Sequence, residues 1–114
     1  MKLIDSDHSK LLGRAMDAMT LRQRITAANV ANADTPGYRR HQVNFEDELR
    51  RVQDAGNSRA MRDITASIEE TDQNVTLEDE LMEMADTQIR VHMLTRSLRQ
   101  HFDVLRMGIT GNNR

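Results

Sequence analysis

The groups best suited to chemistry in this 114-residue sequence are four histidines, two acidic clusters and two pairs of adjacent arginines. Metal-assisted hydrolysis would need two imidazoles on one helical face with a carboxylate beside them. His92 and His101 stand nine positions apart, so they do not share one helical turn, and no HExxH pairing exists. His8 and His41 are isolated, and solvated or interface histidines describe all four. Glu69, Glu70 and Asp72 lack the alternating spacing of an EF-hand loop. The run Glu78-Asp79-Glu80 fits the positive end of a helix as well as it fits a cation. Glycines are scattered, with neither a GxGxxG nor a Walker loop to cradle phosphate. Arg39-Arg40 and Arg50-Arg51 come without an aromatic platform in a chain of formal net charge −2, so nucleic-acid binding is not expected. With no cysteine there is neither a disulfide framework nor a thiolate metal site. Catalytic, cofactor and metal sites are therefore all expected to be absent, and the chain is expected not to be an enzyme.

The elements that could position any side chain are long and few. From about Ser6 to Ala33 the sequence predicts a helix with Asp5 or Ser6 as its N-cap. Leu11, Leu12, Ala15, Met16 and Met19 lie on one face, which Ala18, Val30 and Ala33 extend. Arg22 and Thr26 interrupt that stripe. Pro36 ends the helix, because its ring cannot continue the ladder and pushes Thr35 out of the helical region. Pro36-Gly37 at the two central positions predicts a type II turn. Val43 and Phe45 then alternate with polar residues as in a short extended stretch, and Glu46 to Val52 reads as a brief helix. The segment from about 53 to 74 is polar and rich in turn formers, consistent with short strands or a loop.

The second long helix is predicted over 76–109. Thr76 is a good N-cap, with Asp79 three residues on. Alternating steps of four and three connect Leu77, Leu81, Met84, Gln88, Val91, Thr95, Leu98, Phe102, Leu105 and Ile109, of which all but Gln88 and Thr95 are apolar. A sustained 3.5-residue repeat is the pattern of coiled-coil packing. Ile89, Met93 and Leu94 add apolar area beside it, so this helix is expected to meet more than one partner. The chain thus reads as one mainly all-α domain. Two long terminal helices form a coiled-coil-like bundle, and residues 34–75 supply a short irregular or β-containing middle.

Composition pushes the same way. Hydrophobic residues are 38% and aromatics 3%, a thin stock for a self-sufficient core of this size. Eight methionines supply adaptable apolar surface, which favours a chain that completes its core against other chains, with the middle projecting outward. No apolar run is long enough to span a bilayer, and the N-terminus lacks the apolar stretch of a cleaved secretory signal.

The segment Ala27-Ala28-Asn29-Val30-Ala31-Asn32-Ala33-Asp34-Thr35-Pro36-Gly37-Tyr38 closely resembles the N-terminal signature of bacterial flagellar basal-body rod, hook and hook-associated proteins, A-x-N-[LIV]-A-N-x-x-T-x-G-[FY]. Asn29, Ala31, Asn32, Thr35, Gly37 and Tyr38 match it position for position, and Pro36 completes the turn. Asn74 to Leu81 and Ala85 to Arg90 are similar to the family's opening of its last helix, although Thr87 stands where Asn is common and the middle is short. The resemblance covers roughly residues 9–53 and 73–109 and is strongest to proximal-rod members.

The resemblance implies a structural subunit of a periplasmic drive shaft that transmits torque. Such a subunit is exported by the flagellar type III apparatus without a cleaved signal. Its implied partners are further copies of itself, other rod proteins and the proteins of the MS-ring/export-gate junction, with no nucleic acid and no direct membrane insertion. It further implies that Asn29 and Asn32 hydrogen-bond the turn or a neighbouring helix, that Tyr38 covers the turn, and that the seam Leu77–Ile109 serves assembly. A small α-helical adaptor or export-chaperone-like binding module is the competing reading.

Overall fold

The computed structural model describes residues 7–110 and places two long helices side by side, antiparallel, in a body of 65 × 30 × 16 Å. The elements in chain order are α1 (Asp7–Ala31), β1 (His41–Asn44), α2 (Glu46–Asp54), α3 (Ser58–Arg62), β2 (Ser67–Glu70) and α4 (Leu77–Thr110). The N-cap expected at Asp5 or Ser6 lies outside the described residues.

α1 ends at Ala31, two residues before the sequence-predicted limit. The shortfall has a local cause. Asn32 turns its side-chain amide back onto the Ala28 carbonyl at 2.8 Å, while its backbone N–H is shared between the carbonyls of Ala28 and Asn29. That tightening of the last turn closes the helix before Pro36 is reached. The turn itself is as predicted: the Tyr38 N–H donates to the Thr35 carbonyl at 3.1 Å, and Gly37 sits at φ +81, which the third position of a type II turn requires.

α4 starts where its cap dictates. The Thr76 hydroxyl accepts from the Asp79 N–H at 3.3 Å, and the Thr76 carbonyl from the Glu80 N–H at 3.1 Å. The helix then runs 34 residues, about 50 Å at the usual rise, passing through Gly108.

The middle folds back over α1 and does not project outward. Gly56 at φ +69 reverses the chain after α2, and the Asn57 side chain caps α3 by accepting from the Ala60 N–H at 3.1 Å. β1 and β2 then pair antiparallel, His41 with Glu70 through Asn44 with Ser67. Ala18, Met19, Phe45 and Ile64 form the buried core, with Leu11, Ala15, Leu49, Val52, Val91 and Leu94 packed around it. The apolar residues of the polar middle are thus what close the core over α1.

Candidate functional site

The signature residues form one hydrogen-bonded unit centred on Asn29. This side chain is 1% exposed and makes four bonds. Its oxygen accepts from the Tyr38 hydroxyl at 3.1 Å and the His41 N–H at 3.0 Å. Its amide donates to the His41 carbonyl at 2.8 Å and the Glu80 carboxylate at 3.3 Å. The amide group therefore pairs with both backbone groups of His41, as a neighbouring strand would. Backbone edges alternate along a strand, and the Arg40 carbonyl already accepts from the Thr71 N–H at 2.9 Å. The edge of β1 turned away from β2 is thus closed by side chains of α1, with Arg22 donating to the Val43 carbonyl at 3.0 Å.

The remaining signature residues are simpler. Asn32 ties off the helix and accepts from the Thr35 hydroxyl at 3.2 Å. Ala31, Thr35, Pro36 and Gly37 are exposed, and Tyr38 is half-buried with its ring 5.1 Å from that of His41.

A second feature was not legible as a site: an ionic junction between α1, β1, α2 and α4. Glu80 is fully buried, holding the Arg40 Nε at 2.7 Å with one oxygen and Asn29 with the other. Arg22, 6% exposed, forks onto both oxygens of Glu46 at 2.8 and 2.7 Å, and Arg90 adds a bond to the same carboxylate at 2.7 Å. Glu83 completes the set, 3.6 Å from Arg22 and 3.9 Å from Arg40. Hydrogen bonding from Arg22 holds the Glu46 carboxyl down at about 2 against the opposing effect of burial, and the charges of Arg22 and Arg90 add to it. The same bond raises the Arg22 guanidinium, again against burial. On the sheet surface, bonds from Asn44 and then Gln42 lower the Glu69 carboxyl.

Arg22 and Thr26, which interrupt the apolar stripe in sequence, lie on the same buried face of α1. Leu12, Met19, Arg22, Thr26 and Asn29 are all buried there, and Leu11, Ala15 and Met16 are half-buried. On α4 the inward track is Glu80, Thr87, Val91, Leu94, Leu98, His101 and Leu105, buried or half-buried throughout. It shares Val91, Leu98 and Leu105 with the sequence-predicted seam. Leu77, Leu81, Met84 and Phe102 of that seam lie beside the track and are 46–59% exposed. The side chain of Ile109 lies outside the described residues. A further apolar line of Met82, Ile89, Met93, Val104 and Met107, each at least 60% exposed, runs along the opposite side of α4.

Among the described residues no cluster of three or more His, Asp or Glu is placed to hold a metal ion, and no helix is long and apolar enough to cross a membrane. The arrangement offers a keyed hairpin with apolar surface left outside.

Residues 11–39 match the sequence model of the family described as flagella basal body rod protein. The individual relatives are more specific. The chain is 48% identical over 42 residues to the flagellar basal body rod protein FlgB of Borrelia hermsii, a stretch covering 37% of this chain and 31% of the relative. It is 45% identical over 42 residues to FlgB of Escherichia coli K12, covering 37% and 30%, and 50% identical over 38 residues to FlgB of Salmonella typhimurium, covering 33% and 28%. The matched stretch thus spans about a third of each relative's length.

Proposed function

We propose that this chain is a non-enzymatic structural subunit of the flagellar basal body rod, in its proximal part, and that it assembles through its terminal helices into the torque-transmitting shaft. Its relatives over the signature region are named as rod proteins. The observation that carries the assembly reading is the surface of α4. Nine large apolar side chains of that helix, from Leu77 to Met107, remain 46–69% exposed after the hairpin has closed. Apolar surface arrayed along two sides of one long helix is the mark of a protein interaction surface. Copies of this chain and other rod proteins are the partners that fit the reading. Proteins of the MS-ring/export-gate junction would meet it at its base, and the type III apparatus would deliver it to the periplasmic shaft without a cleaved signal.

Removing the gene from its host tests the reading. Cells lacking hook and filament are expected, and motile cells would overturn it; a partial, substrate-specific loss would favour an adaptor instead. The surface is tested by Leu81→Asp and Phe102→Asp. Both side chains are about half exposed, so the hairpin should fold and the protein should be exported, yet fail to enter the rod. Normal incorporation of both variants would remove this face from the mechanism.

A further inference from the structure

α4 is attached to the rest of the chain in two unlike halves. Between Leu77 and Arg90 the residues that meet α1 and β1 are polar: Glu80 on Asn29 and Arg40, Glu83 near Arg22, Thr87 buried, and Gln88 at 3.4 Å from Gln23. Between Val91 and Leu105 they are apolar but for His101, whose ring meets that of His8, with Val91 and Leu94 on the core and Leu105 buried. We infer that the first half of α4 is an electrostatic latch, docked on the signature turn and β1 by charge pairing and separable from the apolar second half, which keeps the hairpin closed by itself.

Three observations support the latch. The charges at the junction match across elements: Glu80, Glu83 and Glu46 face Arg40, Arg22 and Arg90, Asp86 pairs with Arg90, and Asp47 and Asp79 line the adjoining surface clefts. A buried charge whose partner is removed is strongly unfavourable, so this half is secured by its pairs and not by area. The N-terminal side is nearly complete without α4. Asn29 keeps Tyr38 and both backbone groups of His41, and Arg22 keeps Glu46 and Val43, so opening takes one amide bond from Asn29, the 3.6 Å contact with Glu83 from Arg22, and Glu80 and Glu83 from Arg40. Finally, Leu77, Leu81 and Met84 are already exposed, so their release forfeits little apolar burial. Segments with few buried apolar contacts are the ones that open locally below the global unfolding free energy. The device would let residues 77–90 change neighbours while 91–105 stay in place.

Amide hydrogen exchange of the full chain tests it, read separately over peptides 77–90 and 91–105. Glu80→Gln keeps the shape and removes the charge. Exchange over 77–90 is expected to rise by about ten-fold or more, with 91–105 changed less than about two-fold, because only the local opening is eased. An equal rise in both segments, or none in the first, would overturn the latch. Glu80→Met combined with Arg40→Met removes both charges at similar volume and is expected to restore protection of 77–90, as buried pairs replaced by apolar groups generally do. If the double variant stays as open as Glu80→Gln, the bond between the halves is one of shape and the inference fails. Should Glu80→Gln not fold, Arg40→Met alone serves as the comparison, judged by the same two criteria.

Discussion

Asn29→Ala removes the side chain at the centre of the signature unit, and its cost can be worked bond by bond. The variant leaves the His41 N–H and carbonyl without the amide that pairs with both, at the part-buried edge of β1. A buried backbone group left without a partner costs about 1–3 kcal/mol. Tyr38 is half-buried and its hydroxyl can turn to water, while Glu80 keeps Arg40, so these two bonds add little. The expected destabilisation is about 2–4 kcal/mol, a large part of the 5–15 kcal/mol that holds a typical domain together. Urea unfolding followed by circular dichroism should show a lower midpoint with an unchanged slope, since the surface exposed on unfolding is the same. Asn29→Asp sharpens the test. Aspartate still accepts from Tyr38 and His41 but cannot donate to the His41 carbonyl, and it sets a second carboxylate against Glu80. It should therefore cost at least as much as alanine. A loss below about 0.5 kcal/mol for both variants, the scale of ordinary surface changes, would refute the claim that this amide keys the turn to the strand.

Two further outcomes follow from the junction. The Glu46 carboxyl is depressed from 4.5 to about 2 by Arg22, so its contribution is full above pH 4.5 and is lost as pH falls through 2. An acid titration of stability should show that loss, and Glu46→Gln, less stable at pH 7, should flatten it; an unchanged acid slope in the variant would dismiss the pair. Thr87 is 2% exposed and its hydroxyl has no hydrogen-bond partner, so Thr87→Val should raise stability by about 1 kcal/mol in the same urea assay, and a decrease would show that the hydroxyl is satisfied.

Local signals were the legible ones. Thr76 as a cap, Pro36-Gly37 as a type II turn, and two long helices all follow from rules acting over a few residues, and the structure has each of them. The inward face of α4 was harder to read. Stepping by apolar residues selects Leu81, Met84 and Phe102, whereas the hairpin turns Glu80, Thr87 and Leu94 inward. Hydrophobic periodicity registers burial against apolar partners only. Where the opposing face is Arg22, Thr26 and Asn29, the matching face is also polar and looks like solvent-exposed helix in one dimension. The same limit hid Arg22, whose counter-charge Glu46 is 24 residues away. The signature was visible as a pattern, but the four bonds of Asn29 depend on His41 and Glu80 arriving from two other elements.

The hairpin also has a mechanical consequence. Asn29 meets Glu80 at one end and His8 meets His101, ring to ring at 5.4 Å, near the other, so that the two contacts stand 21 positions apart along each helix. Equal spans mean that neither helix is offset along the other, and Met19 and Leu94 share the core between the two ends. Two rods free to slide bend almost as easily as they would separately. Two rods in contact near both ends and packed together between them resist sliding and bend more nearly as one thicker beam, and with the latch closed α1 and α4 meet in that way.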